Sequence, residues 1–292
     1  MDRQYQNRTL ATTDGLTLSF REYGSRISEA TPVLCLPGLT RNSADFDAIA
    51  SILANNRRVI SLDARGRGRS DYDSNYRNYN LVTEVGDVLS LISAEFDRPC
   101  LILGTSRGGL AAMVLCGVRP SMVAGVVLND IGPVLEDSGL DRIKDYLGIP
   151  PVPLDTWEDA AAAIEAANSE DFPDLRGPDW LAWAKRTFRE ENGKPVLDYD
   201  PKLRDAVLEN SGPVPEMWPQ FRAMADIPTL VLRGENSDLL SAKTVEEMRR
   251  AKPDMTAVTV KGRGHVPLLD EQESVTAITA FLERVDAKAR AA

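Results

Sequence analysis

Leu101-Ile102-Leu103-Gly104-Thr105-Ser106-Arg107-Gly108-Gly109-Leu110-Ala111-Ala112-Met113 is the stretch on which the reading of this chain turns. Three apolar residues run straight into Gly-Thr-Ser-Arg-Gly, and an apolar pattern of helical type follows at once. That order predicts a strand, a sharp turn and a helix, with a serine at the turn. A turn this tight holds the serine backbone in a strained conformation and presents the hydroxyl at the end of the sheet. Glycines are required two residues before and two after, because a side chain there would collide with the strand or the helix.

Outward from that stretch, the chain alternates strands with helices. Thr9–Thr13 and Leu16–Tyr23 flank Asp14-Gly15 with period-two patterning, which predicts a hairpin. Val33-Leu34-Cys35-Leu36 is a continuous apolar strand ending in Pro37-Gly38-Leu39, with Ser43 expected to cap a helix to about Leu53. Arg58–Leu62 is the next strand. It ends in Asp63-Ala64-Arg65-Gly66-Arg67-Gly68-Arg69-Ser70, a basic-glycine run that reads as a structural turn because it stands alone in an acidic chain. A helix is predicted over 81–96, and a strand over 123–128 that ends in Asn129-Asp130. Such alternation predicts an α/β fold: a mostly parallel central sheet with helices on both faces.

The rhythm then stops. Residues 133–225 hold all four tryptophans and eleven of the 18 prolines, a composition that suits jointed helices better than strands. Helical patterns occur near 135–147, 156–168 and 178–191, with no convincing strand. This predicts a helical cap at 133–225 inserted into a core made of 1–132 and 226–292. Trp157, Phe172, Trp180, Trp183, Phe188 and Trp218 are expected to give it an apolar underside. Strands resume at 228–233 and 256–260, the second leading into Lys261-Gly262-Arg263-Gly264-His265, and helices follow from about 241 and over 268–288.

Composition narrows the function. The net charge of −10 argues against nucleic acid or an anionic membrane as partner, since both are polyanionic. Cys35, Cys100 and Cys116 each lie in an apolar run and read as buried, reduced core residues. One histidine and no Cys-x-x-Cys pair give no expectation of a metal, and no cofactor is implied. The N-terminal residues lack the apolar core of a signal peptide and no run approaches a membrane span, so a cytoplasmic location is expected.

A serine hydroxyl needs a base to take its proton as it attacks, and histidine does this near neutral pH when a carboxylate orients its ring. His265 is the single histidine and follows the last strand, at the same edge of the sheet as Ser106. With Gly104-Thr105-Ser106-Arg107-Gly108, the 63–70 turn and Gly264-His265 in place, the chain resembles the α/β-hydrolase superfamily, over roughly 15–132 and 225–288. The resemblance implies a serine carboxylesterase-like or lactonase-like member with a catalytic set of Ser106, His265 and an aspartate, and an oxyanion hole made by the backbone N–H groups of Leu39 and Arg107.

Two departures stand out. The family usually carries His-Gly where this chain has Pro37-Gly38, and it more often places an apolar residue or glutamine at the position of Arg107. The Arg107 side chain is expected either to form a salt bridge or to meet a substrate carboxylate. Two carboxylates compete for the third catalytic place. Asp238 follows the strand at 228–233, the commoner position, and is the expected acid; Asp130 ends the strand after the elbow helix, which some relatives use. The expected partner is a small apolar ester, with a carbon–carbon bond hydrolase of a β-diketone or a ligand sensor on the same fold as the other readings.

Overall fold

The computed structural model describes residues 5–149, 154–209 and 214–291. Strands β1 (Tyr5–Ala11) and β2 (Thr17–Tyr23) form the expected antiparallel hairpin, with Gly15 at φ +90° in the turn, a backbone conformation that glycine tolerates without strain. β3 (Val33–Leu36) leads through a short 3-10 turn, Ser43–Phe46, into α1 (Asp47–Leu53). Asn42, not Ser43, caps that turn: its side chain accepts the Ala44 N–H. Then come β4 (Val59–Leu62), α2 (Leu81–Glu95), β5 (Cys100–Thr105), α3 (Arg107–Val118) and β6 (Val123–Asn129).

The segment between β6 and the next strand of the sheet is mainly helical: α4 (Asp137–Tyr146), α5 (Trp157–Asn168), α6 (Gly177–Thr187), α7 (Leu203–Glu209) and α8 (Trp218–Arg222). It also contains strands that the pattern did not predict, β7 (Phe188–Glu191) and β8 (Lys194–Leu197), paired antiparallel around Asn192-Gly193. Asn-Gly is a strong hairpin signal. The apolar spacing of α6 ran on into Phe188 and hid it. The chain then returns through β9 (Thr229–Gly234), α9 (Ala242–Ala251), β10 (Thr256–Val260) and α10 (Gln272–Ala291).

The eight sheet strands lie in the order β1-β2-β4-β3-β5-β6-β9-β10. β2 meets β4 antiparallel, and every pairing from β4 to β10 is parallel. β5 is therefore interior and buried along its whole length. Alternate residues serve opposite faces, as a strand requires. Cys100 and Ile102 join the core under α2 and α3, while Leu101 and Leu103 join the core under α1 and α10. Burial of each large apolar side chain contributes about 1.5–3 kcal/mol, so this strand is anchored from both sides. The three cysteines are buried and unpaired, and burial pushes the Cys100 and Cys116 thiols up to about 12.

The inserted segment has apolar clusters of its own. Trp180, Phe172, Ala184 and Phe188 form one with Ile164; Tyr79, Leu147, Tyr199 and Leu203 form another at its seam with the core. Trp218 behaves differently from the other tryptophans. It stacks edge-on to Phe221, which is part of the sheet's own core.

Candidate active site

Ser106 stands between the end of β5 and the start of α3 at φ 50°, ψ −117°, the strained conformation that its turn demands. The flanking glycines are dictated by contact distance. A Cβ on Gly108 would lie 2.1 Å from the Leu36 carbonyl oxygen, and one on Gly104 would lie 2.6 Å from the Gly108 oxygen. The elbow is pinned to the neighbouring strand by Ser106 N–H donating to the Asn129 carbonyl at 3.0 Å.

His265, in the loop after β10, places Nε2 at 2.9 Å from the Ser106 hydroxyl and Nδ1 at 2.7 Å from Oδ2 of Asp130. An ionised carboxylate only accepts, so Nδ1 carries the hydrogen and Nε2 is left to accept from the serine. The Asp130 side chain is fully buried. Its Oδ1 accepts the Gly234 N–H at 2.8 Å, and its Oδ2 also accepts the Ser237 hydroxyl at 2.6 Å.

The expectation for Asp238 is therefore corrected: the structure does not bring it to His265. Asp238 binds Arg142 of α4 at 3.2 Å. From the loop after β9 it is Ser237 that reaches Asp130: its hydroxyl donates to that carboxylate and also accepts the Leu240 N–H at 3.0 Å. Asp238 is one residue further on and has turned toward α4.

Leu39 and Gly38 line the cavity beside Ser106. Arg107 is the first residue of α3, so helix geometry leaves its N–H without an intrahelical acceptor. The Arg107 guanidinium forms a salt bridge, the first of its two expected roles: its Nε donates to Oε2 of Glu84 at 2.6 Å. The other oxygen of Glu84 accepts from Arg67 at 2.8 Å, and Arg67 Nε donates to the Leu39 carbonyl at 2.8 Å. Burial pushes the Glu84 carboxyl up, but the two guanidiniums outweigh it and hold it below the usual range. The 63–70 turn is structural, as its composition suggested. Arg65 is buried against Asp87 and Asp73 at 2.7 and 2.8 Å, and Asp63 accepts the Ser43 N–H at 2.7 Å. Of these contacts, Arg67 on the Leu39 carbonyl and Asp63 on the Ser43 N–H reach the 37–43 loop, which lacks the histidine usual in the family. Sequence reasoning missed Glu84 and Arg67; the one available signal was the Arg-Gly turn itself.

The serine faces a cavity of about 480 Å³. Leu39, Ile143, Ile164, Trp183, Phe188, Leu197, Pro267 and Leu268 supply apolar wall; Arg41, Arg142, Arg186, Asn168 and Tyr199 supply polar groups. Of the six aromatic residues expected over the site, Trp183 and Phe188 line it. Phe172 and Trp180 pack inside the inserted segment, Trp157 packs against that cluster, and Trp218 packs against the sheet.

This fold and site define a hydrolase class, and the comparisons agree. The chain belongs to the alpha/beta hydrolase family, whose model matches residues 33–278. Among its relatives, the 3-hydroxybutyrate-oligomer hydrolase of Cupriavidus necator is 31% identical, covering 90% of this chain and 92% of that one. The 2-(acetamidomethylene)succinate hydrolase of Mesorhizobium japonicum is 28% identical over 92% of each. A solved alpha/beta hydrolase structure from Novosphingobium aromaticivorans superposes with a TM-score of 0.91 at 40% identity, covering 97% of this chain and all (100%) of that one. Hydrolase activity is what this membership supports.

Proposed function

We propose that the chain is a serine hydrolase that cleaves a carboxylic ester, or a lactone, of a small and largely apolar substrate through an acyl-enzyme. The observation that carries this reading is the continuous chain of contacts from the Ser106 hydroxyl through His265 to buried Asp130, set on a strained elbow. Ser106 attacks the ester carbonyl while Nε2 takes its proton. The carbonyl electrons move to oxygen, where the N–H groups of Leu39 and Arg107 hold the developing charge. Collapse of that intermediate breaks the C–O bond, and the alcohol leaves with the proton from Nε2. Water, deprotonated by the same nitrogen, then attacks the acyl-enzyme and releases the acid and free serine. Asp130 keeps the ring in the accepting tautomer and steadies the imidazolium.

The inserted segment acts in this reading as the cap that shapes the pocket and limits water entry. The oligomer-hydrolase name of the Cupriavidus relative also supports an ester, since hydroxy acids join head to tail through ester bonds. A fluorophosphonate probe should label Ser106, and short ethyl esters should be turned over by wild type and not by Ser106→Ala. Folded protein that shows neither labelling nor turnover would sink the reading.

A further inference from the structure

We propose that Arg186 is a specificity residue that receives a free carboxylate of the substrate, so that the preferred esters carry an anionic end as well as an apolar chain. This rests on the ester-hydrolase reading and narrows its substrate class.

The cavity lining contains three arginines, and two are already satisfied. Arg41 binds Asp45 through Nε at 2.7 Å and through a second nitrogen, and it also donates to the Thr187 hydroxyl. Arg142 is spent on Asp171 at 2.7 Å, on Asp238 at 3.2 Å and on Asn168. Arg186 has no ion pair among the described residues, although it is half-buried. Asp270 feels its charge without bonding to it, and Asp145, the remaining carboxylate of the lining, is exposed on α4. A guanidinium cannot shed its proton, so a half-buried one in an apolar wall lacks the compensation that a carboxylate would give bidentately.

Its direction follows from the helix. Trp183, Arg186 and Thr187 all line the cavity and are spaced three and four apart on α6, so they share one face. Lys185, next to it, is exposed and already complements the C-terminal end of the helix. The backbone of Arg186 is held against the site: its carbonyl accepts from Asn42 Nδ2 at 3.1 Å, three residues beyond Leu39. Arg186 and the loop of Leu39 therefore border one and the same cavity.

The test compares monoethyl esters of straight dicarboxylic acids, from succinate to suberate, with ethyl esters of matched neutral acids, measured by acid release. At one chain length or more, wild type should favour the half-ester by about tenfold or more in kcat/KM, the scale of a charge-assisted hydrogen bond. Arg186→Gln should lose that preference, with neutral esters changed by less than about threefold, and Arg186→Glu should reverse it. The neutral ester reports folding and catalysis in each variant. Equal turnover of both series by wild type, no turnover of half-esters, or an equal fall on both series in Arg186→Gln overturns the carboxylate role while leaving the ester reading standing. No turnover of any ester, with Ser106 unlabelled, overturns the ester reading itself.

Discussion

Asp130 serves three donors with two oxygens. His265, Ser237 and the Gly234 N–H all converge on one fully buried carboxylate, and the backbone adopts φ 55° to place it there. Asparagine at this position would present an NH₂ where the histidine needs an acceptor, which favours the wrong ring tautomer. Asp130→Asn should lower kcat by about 1,000- to 10,000-fold, by analogy with the acid of serine-protease triads. Asp238→Asn breaks only a partly exposed pair with Arg142 and should stay within about threefold. Melting temperatures measured alongside separate lost chemistry from lost fold. The opposite ranking, at matched stability, would restore Asp238 as the acid.

At the scale of elements, α2 joins the two loops that carry the proposed oxyanion donors. Glu84 reaches Arg107 at the start of α3 with one oxygen, and with the other reaches Arg67, which grips the Leu39 carbonyl. Removing its charge leaves two guanidiniums facing each other with little access to water. Glu84→Gln should cost about 3–5 kcal/mol in denaturant unfolding. Beyond stability, it should lower kcat about ten- to a hundredfold with KM little changed, because the donors act on charge that appears only in the transition state. A rise in KM at constant kcat would mean that Glu84 merely shapes the pocket. The acid limb has the same origin. The carboxyl is held below 4.5, so its contribution is present above that value and fades as pH falls through the lower value of the folded state.

Across the whole molecule, the inserted segment is tied to the sheet domain along a polar seam. Gly68 N–H donates to the Asp198 carbonyl and Asp200 N–H to the Gly66 carbonyl, both at 2.8 Å, while Tyr79 donates to the Asp200 carboxylate at 2.7 Å. In that seam the Asp198 side chain accepts from Asn42 Nδ2 at 2.6 Å, and burial, reinforced by the nearby Asp63 charge, pushes its carboxyl up to about 6. A raised value in the fold means that the protonated form is favoured there. The stabilisation is complete below the unfolded value of 3.8 and is lost as pH rises through about 6. Asp198→Asn, which cannot ionise and retains an oxygen for Asn42, should therefore unfold at higher denaturant than wild type near about pH 8. The two curves should converge near about pH 4. A gain that is constant with pH would remove the Asp198 charge from the explanation.

What this sequence determined by itself is what depends on neighbours along the chain. The strand, the paired glycines and the helix around Ser106 lie within thirteen residues, and the backbone sterics that force the turn are local. The alternation of strand and helix, the Asp14-Gly15 hairpin and the buried cysteines are likewise written in short-range pattern. His265 was legible because it is the single histidine and follows the last strand. Tertiary structure alone decided which of two strand-end carboxylates meets it. The winner lies 135 residues away in the chain, and from the loop after β9 it is Ser237 that bonds this carboxylate while Asp238 pairs with Arg142. The same holds for Trp218 joining the sheet core, for Glu84 serving two arginines, and for Arg186 having no ion pair among the described residues while Asp45, Asp171 and Asp238 have taken their partners. A short-range pattern states where a side chain leaves the backbone; which group it meets is set by contacts between distant segments, and those exist only once the chain has packed.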